Sequence, residues 1–542
     1  MKHFWPVAAL VLAAFTGMAE AQRIADPSVR AQDDARERAE QLDREGRVRQ
    51  SGDPVLSDEL QRRPLPPAGG PTVVVRSVVF EPRSAFFSQS DLDALTRPFV
   101  GQRLDFRGIS QLVRGVNDLY AQRGIVTAAA ILPPQDLSSG NLRIQLVEGR
   151  LGGVTVVGNE QTDPEFVLNR ITLSRDGDVV DVPQIAEDLN FFNKTSRAKV
   201  RMLLQPGAAF GLTNLSFGIT EPPKQELQFF LGNEGVESTG EFEVAALYRR
   251  YGIFGRDDSL LAYLEFAEGS ESLVLTYDVP ITPQNTRLSF GFNASSIDIV
   301  DGPAEPLDVE GESYSFTVGV THPLFVDENW VIQGKAGYFY GPNESSALGI
   351  TLVDTDTQKF NAGIDFGYTG ERLSMSGDLQ VIAAEVDNKI LGRTRDITLV
   401  TGSLFGFYAL DDNWNVQGAA GFQWTDEELI PGNLLYQIGG PQTVRGYPSE
   451  GVAGDDGYYL SLELHRPFPV NNRTMDVFGF VDHGKVFSTF PDEVELTSVG
   501  FGASYDLTDR IRLDVTAAFP VEDTLPNQDD ATVYATLRVI AF

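Results

Sequence analysis

The chain has 542 residues, with 43 Lys+Arg against 76 Asp+Glu, a formal net charge of −33 and no cysteine. So acidic a chain is a poor fit to nucleic acid, whose phosphates call for a basic surface, and it has no disulfide, no thiol chemistry and no Cys-ligated metal. Glycine (52), Phe (35) and Tyr (16) are abundant, which suits many short aromatic strands, and the mildly polar average is compatible with a transmembrane barrel, whose strands alternate lipid-facing and lumen-facing residues.

Residues 1–21 read as a secretory signal peptide. Lys2 and His3 form a short basic region, residues 7–15 are apolar, and Ala19-Glu20-Ala21 is an A-x-A cleavage site that puts the mature start near Gln22. The apolar run is shorter than the ~20 residues a spanning helix needs, and no later segment is long and apolar enough. Residues 22–50 are helix-like but polar almost all round. Ala31, Ala35, Ala39 and Leu42 make a thin small-residue stripe, and Asp34/Arg38 and Glu40/Arg44 have i,i+4 pairing spacing. Without a broad apolar face such a helix is not held by a core; a water-filled lumen, solvent or disorder are its options. Residues 51–71 carry Pro54, Pro64, Pro66, Pro67 and Pro71 and read as an extended linker, reaching roughly 60 Å at polyproline rise.

Residues 72–151 predict a compact β-α-α-β-β unit. Strands are expected at 73–80, 125–132 and 142–147 and helices at 90–99 and 107–123, with Ser88 or Ser90 as cap of the first. In the second, Ile109, Leu112, Val113, Val116, Leu119 and Tyr120 follow helical spacing, and Gly124 ends it. Residues 152–222 repeat the order, with strands at 154–157, 198–204 and 212–219 and helices at 163–171 and 183–192. In such a unit the strand after the second helix commonly lies at the sheet edge. In the first unit that strand is Ile125, Val126, Thr127, Ala128, Ala129, Ala130 and Ile131. An open edge can take an extended chain by β-augmentation, with proline at Thr127 or Ala129 as the disrupting change.

From residue 223 to 542 the period changes to two. Sixteen candidate strands centre near residues 229, 246, 263, 275, 290, 317, 335, 362, 378, 402, 419, 462, 478, 500, 514 and 536. Roughly 20 residues per strand and connector match an outer-membrane barrel. Short connectors at 255–258, 282–285, 327–329, 411–413 and 508–509 fit the periplasmic side, and longer ones at 299–311 and 426–457 the extracellular side. The last strand runs to a terminal Phe542. Its Val533, Ala535, Leu537 and Val539 share one face, whereas Phe542 falls with Arg538 on the other, leaving a bulge or an end effect open.

Parity singles out one constellation. Leu460, Leu462 and Leu464 share one face of their strand, so Tyr459, Ser461 and Glu463 face the lumen. On the next strand Asp482 must also face inward, because a carboxylate in the lipid band is costly. Phe478 and Phe480 then face inward with it. Inward aromatics need something packed on them, and the glycine-rich loop carrying Val444-Arg445-Gly446-Tyr447 is long enough to fold back inside. Its guanidinium can pair with a carboxylate and stack on a ring.

That pair of motifs, VRGY and F-x-D-x-G (Phe480, Asp482, Gly484), before a C-terminal aromatic, resembles the TpsB-type transporters of two-partner secretion (ShlB/FhaC/HecB-like). These are outer-membrane β-barrels of the translocase and insertase superfamily. The resemblance implies that the tandem α/β units are POTRA domains in the periplasm and that residues 22–50 are a plug helix. It further implies an Arg445–Asp482 lock, with Phe480 beside it and Glu463 a second acceptor, and Phe542 as the barrel-assembly signal. The implied partners are an unfolded TpsA-like exoprotein (a β-helical adhesin or haemolysin), the barrel-assembly machinery and outer-membrane lipid, in a Gram-negative bacterium. The implied activity is export without ATP. No G-x-S-x-G, H-E-x-x-H or P-loop is present, so neither an enzyme nor a cofactor is expected. A soluble β-sandwich or a diffusion porin has no need of the other features. The closer alternative is an outer-membrane protein insertase of the same superfamily.

Overall fold

The computed structural model describes residues 27–48, 55–56, 69–125, 127–411, 413–471, 473–487, 493–525 and 528–542. The signal segment, residues 22–26, most of the linker and Val126 lie outside them. The chain divides into two units, residues 50–222 and residues 1–49 with 223–542.

The smaller unit contains two sheets of the same design. In the first, Asn141–Glu148 is central, with Ser77–Glu81 parallel on one side and Ala128–Ile131 antiparallel at the other edge. Helix Phe106–Gln122 buries Ile109, Leu112, Val116 and Tyr120 against Leu142, Ile144, Leu146 and Phe87, each such side chain stabilising the fold by about 1.5–3 kcal/mol. Both helices start at side-chain caps. Ser88 and Asp91 form a capping box at Gln89–Thr96. The Asp105 carboxylate accepts the N–H of Gly108 (2.8 Å) and that of Gly69 (2.8 Å). The expected strand at 73–80 is split: Val73–Val74 pairs with Arg103–Leu104 instead of joining the main sheet.

The second sheet repeats this order with Leu212–Thr220 central, Arg150–Val157 parallel and Lys199–Pro206 antiparallel. It has one strand more. Val55–Leu56, inside the expected linker, pairs in parallel with Met202 and Leu203.

In the larger unit, sixteen strands among the described residues close into an antiparallel barrel, from Gln225–Gly232 to Thr532–Ile540. Every expected strand centre falls inside its strand. Phe229, Phe290, Phe316, Phe360, Leu462 and Phe501 are exposed on the outer wall, an apolar band that only lipid solvates well. Connectors on the side of the smaller unit's junction are short throughout. On the opposite side two are also tight, 268–269 and 348–349, so the expected rule of long extracellular connectors fails there. For 348–349 the reason is strand length. Trp330–Ala347 and Ile350–Thr369 run to 18 and 20 residues, beyond the ~10 that cross the membrane, and the excursion is made by ladder rather than by loop. The last strand ends at Ile540, two residues short of Phe542. Phe542 is exposed and its carbonyl accepts the N–H of Leu227 (3.2 Å). Leu227 faces two residues there, since its carbonyl also accepts the N–H of Ala541 (2.8 Å); this two-against-one pairing is that of a bulge and accounts for the change of face.

Helix Pro27–Val48 lies inside the barrel. Its narrow stripe is enough because the wall it meets is itself apolar: Ala35 and Ala39 are fully covered by Ala245, Leu247, Leu261, Tyr263 and Val274. The expected Asp34/Arg38 pair does not form. Arg38 instead reaches two wall carboxylates, Glu243 and Glu265 (3.1 Å to the latter), and Asp34 pairs with Arg30 (3.2 Å). A fixed inward carboxylate pair outcompetes a neighbour on the same helix, whose pairing is worth only a few tenths of a kcal/mol. The Arg44 side chain lies outside the described set.

Candidate functional site

Residues 425–455 form a long connector that folds back into the barrel. A small hairpin, Tyr436–Ile438 with Val452–Gly454, carries a tight turn in which Gly439, Gly440, Gly446 and Gly451 all have positive φ, a region that glycine enters without strain. The turn is not a solvated loop. Ile438, Val444, Tyr447 and Val452 pack with Val486, Leu496 and Leu525 of the wall and neighbouring loop. The Tyr447 hydroxyl donates to the carbonyl of Thr497 (2.9 Å).

This packing delivers Arg445 to the wall. Its Nε and Nη2 donate to Oδ2 and Oδ1 of Asp482 (2.7 and 2.8 Å), a two-point fork, and its Nη1 donates to Oε1 of Glu463 (2.5 Å). Nη2 also reaches Oγ of Ser461 (3.1 Å), and the backbone N–H of Arg445 reaches Oδ2 of Asp482 (3.2 Å). The guanidinium carbon stands 3.6 Å from the centroid of the Phe480 ring. Asp482 has no exposed surface. A buried carboxylate is tolerable only with such compensation.

The register explains why these groups meet. Strand Asp456–Val470 pairs antiparallel with Arg473–Phe487, setting Ser461 opposite Asp482 and Glu463 opposite Phe480. The next strand puts Gly500 and Gly502 opposite Phe480 and Phe478. A Cβ at either glycine would collide with the facing ring, so these two positions make room for inward aromatics. Gly484 likewise lets the loop approach, since a Cβ there would lie 3.0 Å from Cγ2 of Val444.

Four contributors were missed at the level of sequence. Ser461 donates to Oδ1 of Asp482 (2.7 Å). His465 sits between Oε2 of Glu463 (2.7 Å) and Oδ2 of Asp476 (2.8 Å), stacked on Phe478. The Tyr534 hydroxyl accepts the N–H of Gly446 (3.0 Å), and the Thr532 hydroxyl donates to its carbonyl (3.2 Å). Ser461 and His465 share the inward parity of Glu463, so that signal was present. Tyr534 and Thr532 come from the last strand, and only closure of the barrel brings them here. Glu450 of the same loop ties it further: its carbonyl accepts from Arg30 of the lumen helix (3.3 Å), and its carboxylate accepts the N–H of Ser238 (2.8 Å).

The edge strand of the first α/β sheet is shorter than expected, Ala128–Ile131. Ile125 is buried ahead of it, and the carbonyl of Thr127 accepts the N–H of Gly149 (3.0 Å). Among the described residues no strand covers its outer side. The outward groups of Ala130 are nonetheless engaged: its N–H donates to Oδ1 of Asn117 (2.6 Å), and its carbonyl accepts from Nδ2 (3.2 Å). A strand's backbone groups alternate sides, so Ala128 and Ala130 point outward and Ala129 inward. Thr127 and Ala129 are therefore the wrong positions for an edge-disrupting proline; Ala128 is the right one.

A closed antiparallel barrel with a long loop folded inside it, preceded in the chain by paired α/β units, is the architecture of the outer-membrane translocase and insertase class. Residues 73–149 match the POTRA domain of ShlB type. Residues 218–506, more than half of the chain, match the haemolysin secretion/activation protein ShlB/FhaC/HecB. The chain belongs to that family and is an outer-membrane transporter of the two-partner secretion type. It is 24% identical over 460 residues to the outer membrane transporter CdiB of Dickeya dadantii, covering 80% of each chain. It is 21% identical to the heme/hemopexin transporter protein HuxB of Haemophilus influenzae, covering 81% of this chain and 82% of that one. In fold it is similar to CdiB from Escherichia coli (TM-score 0.66, 19% identity, 95% and 99% covered) and to a Haemophilus ducreyi BamA lacking POTRA domains 1–3 (TM-score 0.55, 15% identity, 86% and 100% covered).

Proposed function

We propose that the chain captures an unfolded exoprotein in the periplasm at the edge strand Ala128–Ile131 and passes it through the barrel. The observation that carries this is the Asn117 clamp. A side-chain amide has the donor and acceptor of a peptide group, so Asn117 satisfies Ala130 at rest exactly where an incoming backbone would bind. Exchange of one amide for another costs little, and backbone hydrogen bonds tolerate many sequences. The exported partner is a TpsA-like chain, a β-helical adhesin or haemolysin, which folds outside and so drives transport without ATP. The relatives' names, transporter CdiB and heme/hemopexin transporter HuxB, fit such a cargo. The lock of Arg445 on Asp482 and Glu463 holds the long loop in its inward position, and Phe542 serves the barrel-assembly machinery. The insertase alternative is less well supported, since insertases of the barrel-assembly type generally carry more POTRA domains and lack a plug helix.

The test places the chain in outer membranes beside its exoprotein. Ala128→Pro removes an outward donor and is expected to reduce secretion at least tenfold with a heat-modifiable barrel still present. Wild-type secretion by this variant would exclude the edge as the capture site.

A further inference from the structure

The second α/β unit contains the same edge as the first, with one difference. Asn193 clamps Val200 as Asn117 clamps Ala130: its Oδ1 accepts the N–H of Val200 (2.7 Å) and its Nδ2 donates to the carbonyl (2.9 Å). Beyond that clamp, Val55–Leu56 lies on the strand, in register with Met202 and Leu203. The two sheets are thus one device used twice, bare in the first unit among the described residues and occupied in the second by a segment of the chain itself.

We propose that the outer edge of Lys199–Pro206 is a second docking site for the extended exoprotein, kept covered at rest by residues 55–56. This rests on the reading that the chain exports a polypeptide. The resident strand is itself the demonstration that this edge accepts an extended backbone, and in the parallel direction. Its hold is short, two residues on a strand of eight. The usable window is bounded on one side by the Asn193 clamp at Val200 and on the other by Pro206, which has no N–H to offer. Between them lie Arg201–Gln205, with Arg201, Leu203 and Gln205 exposed and Met202 buried in the core. A longer extended segment fills more of that window than the resident one and displaces it.

The experiment uses the full-length transporter in outer membranes with its exoprotein, and a benzophenone amino acid in place of Leu203, in the wild-type background and in Val55→Pro/Leu56→Pro. The same probe in place of exposed Ile131 reports on the first unit, and heat-modifiability reports barrel assembly. The expected result is an adduct between position 203 and the exoprotein, at least threefold more abundant in the proline background. Absence of that adduct in both backgrounds, with position 131 cross-linking, overturns the second site alone. Equal yields in the two backgrounds overturn the covering role of residues 55–56. An adduct only with a second transporter copy also overturns the proposal. A wild-type chain that secretes nothing and cross-links nowhere fails the export reading instead.

Discussion

Removing the Arg445 side chain is the sharpest perturbation of the lock. Four side-chain hydrogen bonds are lost, three of them to carboxylates. Among the described residues, Asp482, wholly buried, keeps as donors only the Ser461 hydroxyl and the Arg445 backbone N–H. Breaking a buried pair from one side costs about 3–5 kcal/mol. At about 1.4 kcal/mol per factor of ten, the docked loop loses a factor of roughly 10² to 4 × 10³ against undocked states. Arg445→Lys keeps the charge but replaces the fork and the ring stacking by a single point contact, and is expected to recover about half of that energy. Asp482→Ala combined with Arg445→Ala is expected to be no worse than either alone, because the pair fails as a unit. Hydrogen exchange of the hairpin residues 436–454 reads docking directly, and secretion into the medium reads function, each normalised to heat-modifiable barrel. Protection and secretion both unchanged in Arg445→Ala would refute the reasoning, since a buried carboxylate cannot lose its cation without consequence.

Three further outcomes are expected. Deleting residues 22–49 should raise single-channel conductance in planar bilayers severalfold while the barrel still assembles; an unchanged conductance would mean that the helix does not limit the pore. Gly446→Ala should weaken loop docking, because φ is +90° and the new Cβ would lie 3.1 Å from Cδ of Pro520, a strain of about 1–3 kcal/mol; hairpin exchange rates equal to wild type would contradict this. In the first α/β unit, the backbone N–H groups of Gly69 and Gly108 hold the Asp105 carboxyl below its usual range. A lowered folded-state value gives stability that is full above the ordinary carboxylate range, near 4, and is lost as the pH falls through the folded value. Asp105→Asn keeps the cap without that titration, so its denaturation midpoint should vary less between pH 5 and pH 2; identical acid profiles would count against the assignment.

Much of this architecture is legible in the residues because the relevant signals are local. Period-two alternation marks each barrel strand. Where one face must avoid lipid, parity alone orients a residue: Leu462 outward, Glu463 and Asp482 inward. The 3.6-residue spacing of Ile109, Leu112, Val116 and Tyr120 marks a helix with equal clarity. A loop of glycines around one arginine, close in the chain to an inward carboxylate, allows a lock, and the family resemblance implies its partners.

What the residues by themselves determined, then, is which segments are strands or helices, and which face of each avoids water or lipid, since both follow from periodicity within a few residues. Partner choice between distant segments was decided only by the tertiary structure. Arg38 has Asp34 four residues away yet binds Glu243 and Glu265, because closure of the barrel presents two fixed carboxylates at once. Tyr534 meets Gly446 across the end of the chain for the same reason. Asn117 is an ordinary polar helix residue until the sheet edge arrives beside it. Val55–Leu56 carries no strand signal of its own, since two residues have no period; it becomes a strand because an open edge supplies the hydrogen bonds it lacks.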